Sequence, residues 1–144
     1  MIDSFTRAHD YLSNFYGCPV FYNGLLFRSA EAAYQAQKTA DEKLRVRFTY
    51  LRSGIAKRDG RRLILRADWE DVKIQIMSEV VHAKFAQNKD ICNKLVETGV
   101  EHLVENNTWG DCFWGVCRDV GQNWLGRLLM AERVYWRLLI HAAA

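Results

Sequence analysis

The residues of this chain best suited to chemistry are carboxylates set near aromatic rings. Glu31 stands in a polar stripe with Gln35 and Lys38, at i, i+4 and i+7, so the three share one face of a helix. Glu105 and Asp111 flank or lie within a loop-type stretch, Asn106 to Gly115, that reads NNTWGDCFWG. Paired carboxylates with aromatic walls are the equipment of glycosidic-bond cleavage. One acid protonates a leaving group or positions water, and negative charge steadies an oxocarbenium-like sugar. A carboxyl close to indole rings loses solvation, and that raises its pKa toward a useful range. The loop admits two readings. Paired Asn, two Gly and an Asp favour turns, so Trp109 and Trp114 are either flat walls for a planar ligand or an aromatic plug over a core. The Glu31 stripe is likewise either a pocket wall or a solvated face. No glycine-rich phosphate loop is present, and His9, His82, His102 and His141 join no nucleophilic pattern.

Composition sets the frame. With 144 residues, 49% of them hydrophobic and 26% charged, one domain over residues 1–144 with a real core is expected. A net charge of +3 is far below the basic excess of a dedicated nucleic-acid binder, and neither demands nor excludes such a partner. The four cysteines have no histidine at zinc-ligand spacing, so no metal is expected. The start of the chain lacks the apolar run of a signal peptide, and no stretch reaches the ~18 apolar residues of a membrane span. Reducing cytoplasm, with free thiols, is the expected setting.

The elements that must position these residues follow from periodicity. Asn23-Gly24 between two strand-type runs predicts a hairpin of Val20–Tyr22 and Leu25–Phe27. Ser29 is placed to cap an Ala-rich helix reaching about Thr39, which would carry Glu31, Tyr34, Gln35 and Lys38. A charged helix from Asp41 to about Leu51 follows, with Ser53-Gly54 as an interruption. Lys57, Arg58, Arg61 and Arg62 then form a basic cluster around Gly60, readable as a solvated surface or a phosphate contact. Asp68 is placed to cap a long central helix from Trp69 to about Asn88, with Lys84 near its C-terminal end. A shorter helix, Asp90–Glu97, stops at Thr98-Gly99, and Val100–Val104 is extended or helical. Gly121-Gln122-Asn123 is a turn before a terminal helix from Trp124 to about Ala142.

The segments FxNGxxFxSAEAAYQAQK, RxDWExVKxxxMxxVxxAKFAQN, LVETG, LVENNTWGDCFWG and GQNWLGRLLMAER, in order from about Leu12 to Arg133, resemble the YbiA-like or NADAR superfamily. The resemblance implies a mainly α fold with a short N-terminal β-hairpin (α+β) in one compact domain. It implies an N-glycosidase that hydrolyses a bond between a ribose carbon and a nitrogen, with no cofactor. Family substrates are ADP-ribose attached to guanine bases in nucleic acid and phosphorylated ribosyl intermediates of early riboflavin synthesis. Matched position by position, Glu31 and Lys38 are the implied catalytic residues. Lys38 would bind phosphate or ribose, or form an imine with an opened sugar. Asn14, Phe15, Tyr34, Gln35, Trp69, Lys84, Asn88, Glu105, Asp111, Trp114, Gly115 and Asn123 are the implied substrate-binding positions. Trp69 and Trp114 would stack on base or sugar. Trp109 is expected to pack the loop onto the core. One departure stands out: Ala32 follows the glutamate where the family usually has histidine. A non-catalytic module that reads ADP-ribose or a nucleotide is the competing class, and the intact Glu31 argues against it.

Overall fold

The computed structural model describes residues 1–143. The predicted hairpin is present and slightly longer than its apolar runs: β1 (Gly17–Tyr22) pairs antiparallel with β2 (Leu25–Ser29), Val20 opposite Phe27 and Tyr22 opposite Leu25. Asn23 (φ 51°) and Gly24 (φ 81°) both take positive φ at the turn, as an Asn-Gly two-residue loop requires. One face of the hairpin is buried through Val20 and Phe27, while Phe21 and Leu26 remain exposed.

The chain clusters into two compact units, residues 14–88 and residues 1–13 with 89–144. In the first, β2 runs straight into α1 (Ala30–Ala36), because Ser29 is both the last strand residue and the helix cap; its Oγ accepts from the Ala32 amide at 3.1 Å. α1 is shorter than predicted. Gln37 ends it by turning its amide back onto the Ala33 carbonyl at 3.0 Å, and Lys38 lies just beyond the last turn. All seven residues of α1 are buried, since it packs on the hairpin and on three other helices. Those are α2 (Glu42–Phe48), capped by Asp41; α3 (Ser53–Gly60); and α4 (Trp69–Gln87). Ser53-Gly54 opens α3 rather than interrupting the chain. Asp68 precedes α4, but its carboxylate is held by Arg66 at 2.6 and 3.0 Å and does not cap. The apolar stripe of α4, with Ile76, Met77, Val80, Val81 and Phe85 buried, packs on β1 and α1.

In the second unit a 3-10 turn, Arg7–Leu12, buries Tyr11 and Leu12, and the Tyr11 hydroxyl donates to the Lys94 carbonyl at 3.1 Å. α5 (Lys89–Glu97) packs on α6 (Trp124–Ala143). Residues 100–104 are neither helix nor strand, although Leu103 bridges in parallel to Ile2. A two-residue parallel pair that was not predicted, β3 (Asn106–Asn107) with β4 (Val116–Cys117), closes the loop between them. Late in α6, Val134, Leu138 and Leu139 are exposed, so its apolar pattern outruns its buried face. Mainly α, with a short N-terminal hairpin, is thus the architecture found.

Ser29→Ala removes the α1 cap and should lower unfolding stability by about 1 kcal/mol, read as a fall in the denaturant midpoint with an unchanged slope.

Candidate active site

The stripe on α1 is assembled within residues 14–88. Glu31 sits in the first helical turn, where its charge suits the helix dipole, and its amide donates to the Asn14 carbonyl at 3.0 Å. Its residue is only 7% exposed. Gln35, one turn on and 5% exposed, donates from Nε2 to the Glu31 Oε1 at 2.9 Å. That bond fixes both the amide flip and the carboxylate orientation. The other end of the amide rests over Gly60 of α3. A Cβ built on Gly60 would lie 2.0 Å from the Gln35 Oε1 and 2.7 Å from its Cδ. Only glycine lets α3 approach this closely.

Lys38 is half-buried, with its ammonium 5.9 Å from the centre of the Tyr34 ring. Burial pushes its pKa below the ordinary lysine value. Glu31 opposes that shift, while Arg61, Lys57 and Lys73 add to it. A neutral amine is therefore easier to reach here than in water. Tyr34 and Trp69 are both buried and packed on each other, rings 5.3 Å apart and tilted by 56°. At 4% exposure Trp69 supports the back of α1 rather than presenting an open ring. Phe15, in contrast, is exposed, with the Lys57 ammonium 5.5 Å from its ring centre. Asn14 is buried and donates to the Met77 sulfur at 3.3 Å; among the described residues its Oδ1 has no hydrogen-bond partner. Lys84 is 0% exposed, its ammonium 5.1 Å from the Phe85 ring and 5.7 Å from that of Tyr16. Asn88 spends its amide hydrogens on the Lys84 and Pro19 carbonyls, at 2.8 and 2.9 Å, tying the end of α4 to β1.

The remaining positions lie in the other unit, where Asp111 and Asn123 hold the loop by their side chains. Asp111 Oδ1 accepts from the amides of Phe113 and Trp114 at 3.1 and 2.9 Å, an Asx-type turn. Asn107, not singled out from sequence, receives the Asp111 amide and donates to the carbonyls of Asp111 and Val116. Asn123, at φ 53°, accepts from the Glu105 amide and donates to the Leu103 carbonyl, at 3.0 and 2.9 Å. Gly115 is required by close chain approach: a Cβ there would lie 2.2 Å from the Glu105 carbonyl oxygen. Trp114 is half-buried and meets Phe113 edge-on at 4.8 Å. Trp109 is 60% exposed, against the expectation that it packs the loop on the core. Gly110 beside it takes a positive φ of 89° in an exposed turn. Among the described residues no three His, Cys, Asp or Glu side chains are grouped to hold a metal ion, and no helix is long and apolar enough to cross a membrane.

Gly60 and Arg61, at the end of α3, lie beside the stripe; the sequence put both in a basic cluster with two open readings but not among the site residues, and the i, i+4 spacing of Lys57 and Arg61 was the usable signal. Gly60→Ala should displace the Gln35 amide and break its bond to Glu31. The expected result is a loss of about tenfold or more in turnover, with a lowered melting temperature. Crystallographic or NMR observation of an undisturbed Gln35–Glu31 bond in the variant would contradict this reading of Gly60.

The NADAR domain model matches residues 3–136, across both units. N-glycosidase YbiA of Escherichia coli K12 is 37% identical over 139 residues, covering 92% of this chain and 86% of that protein. Riboflavin biosynthesis protein VVA0006 of Vibrio vulnificus is 37% identical over 131 residues, or 87% of this chain, and the chain spans only 35% of its length. The NMR structure of E. coli YbiA superposes with a TM-score of 0.83 at 34% identity, over 96% of this chain and 88% of that one. The chain belongs to the NADAR domain family.

Proposed function

We propose that this chain is an N-glycosidase that removes ADP-ribose from ADP-ribosylated guanine in nucleic acid. Hydrolysis of a glycosidic carbon–nitrogen bond is the activity named for its YbiA relatives. The observation that carries the chemistry is the Glu31 carboxylate, almost wholly buried yet held in one orientation by Gln35. A fixed negative charge in a poorly solvated place is worth most where positive charge develops, as on the anomeric carbon when the ribosyl–nitrogen bond stretches. The bond electrons leave with the base nitrogen, which takes a proton. Water adds to the anomeric carbon and gives up a proton, and in this reading Glu31 receives it. Lys38 holds the phosphorylated sugar. The charge of this part of the chain supports a polyanionic substrate: residues 38–66 hold ten Lys or Arg against three Asp or Glu.

A second reading keeps the bond and changes the substrate to a phosphorylated ribosylamine of the riboflavin pathway. It is favoured by the name of the Vibrio vulnificus relative. Mass spectrometry after incubation with a guanine-ADP-ribosylated oligonucleotide and, separately, with the ribosylamine phosphate distinguishes the two. Glu31→Gln should lower turnover of the true substrate by about 10²–10⁴-fold while leaving the fold intact. Unchanged turnover in that variant would remove Glu31 from the chemistry, and ADP-ribose binding without turnover of either substrate would make the chain a binding module.

A further inference from the structure

The N-glycosidase reading uses Glu31 and Lys38 but leaves unexplained why further cations crowd the same place. Lys57 lies on α3 and Arg61 is its C-terminal cap; four residues apart, they share one face. Arg58 points elsewhere, to Asp59 at 3.1 Å, and Asp59 also receives Arg47 at 3.0 Å. The one acid on α3 is therefore committed twice. The close packing of α3 on α1, with Gln35 lying over Gly60, brings this end of α3 against the Gln35–Lys38 end of the stripe. Lys57 reaches over the Phe15 ring at 5.5 Å. Lys57, Arg61 and, from α4, Lys73 all lie near enough to act on the Lys38 ammonium; Lys73 also meets Glu70 at 2.6 Å. Among the described residues, the side chains of Lys38 and Arg61 have no hydrogen bond or ion pair. Cations gathered from separate elements, with Glu31 as the nearby anion, repel one another unless another anion sits among them.

We propose that Lys38, Lys57 and Arg61 form a seat for a phosphoryl or pyrophosphoryl group beside Glu31, and that the group is carried by the sugar of the substrate. The sugar is assigned because a phosphorylated ribosyl group is common to both substrates considered above, whereas only one of them has a leaving group that carries phosphate. The assignment to the sugar rests on the N-glycosidase reading; the anion seat itself does not. It also adds Lys57 and Arg61 to a site that the family motif on α1 did not include. Two sources share this chemistry, a diphosphate and a terminal monophosphate, and relative affinity for the two separates them.

The test is calorimetric titration at fixed ionic strength with sodium pyrophosphate and, separately, inorganic phosphate. The proteins are the wild type, Lys57→Ala, Arg61→Ala, the double variant and Arg62→Ala, each checked for an unchanged melting transition. Loss of each seat cation should weaken anion binding about tenfold, as for a charge-assisted hydrogen bond. Arg62→Ala, an equal change in net charge, should stay within about twofold of wild type. Arg61→Lys should recover part of the loss. KM for a phosphorylated N-glycoside should rise in parallel, with KM for its dephosphorylated counterpart unchanged. Equal weakening by Arg62→Ala, or unweakened binding in the double variant, would overturn the seat. Selective weakening in a chain that cleaves no N-glycoside would uphold the seat and reject the enzymatic reading. Cleavage with undiminished anion binding in the double variant would do the reverse.

Discussion

A carboxylate can be kept from water only if its surroundings replace what water supplied. Glu31 meets this condition at the first turn of a seven-residue helix that has no exposed side. Each neighbouring element supports that placement. Ser29 caps the helix as the β2 strand ends, the Asn14 carbonyl takes the Glu31 amide, and Gln35 pins the carboxylate from one turn below. Gln35 in turn has room because α3 offers Gly60, and Tyr34 leans on Trp69 at the head of α4. The helix is too short to be stable alone; it is a positioning device whose stability comes from the hairpin and three helices around it.

The cations are the complement of that carboxylate. Burial and the charges of Arg61, Lys57 and Lys73 make the Lys38 ammonium less favourable than in water, and Glu31 offsets part of this. A ligand carrying negative charge would relieve the repulsion.

The sequence was most readable where one local rule governed the outcome. Asn23-Gly24 announced the hairpin, Ser29 announced a helix cap, and the 3.6-residue period announced α4. It was least readable where tertiary partners decided. Asp68 stands at a cap position but prefers Arg66, and Gln37 folds back to end α1 before Thr39. The same limit applies to the site. A stripe of Glu, Gln and Lys at helical spacing looks alike on a solvated and on a buried face, and only packing separates them. Conversely, several polar residues that family resemblance put around a pocket, Asn88, Asp111 and Asn123, spend hydrogen-bonding capacity on backbone groups. They determine loop shape. Trp109, a large aromatic in an otherwise polar turn, is exposed, and nothing in its local sequence distinguished it from Trp114.

The dependence of the site on charge balance around Lys38 can be measured directly by NMR titration of the protein with ¹³C-labelled lysine side chains, with and without sodium pyrophosphate. Lys38 should titrate below the ordinary lysine range in the free protein, because burial and neighbouring cations disfavour its charged form, and should move upward when the anion is present. A Lys38 signal that titrates like a solvated lysine and ignores pyrophosphate would contradict the account.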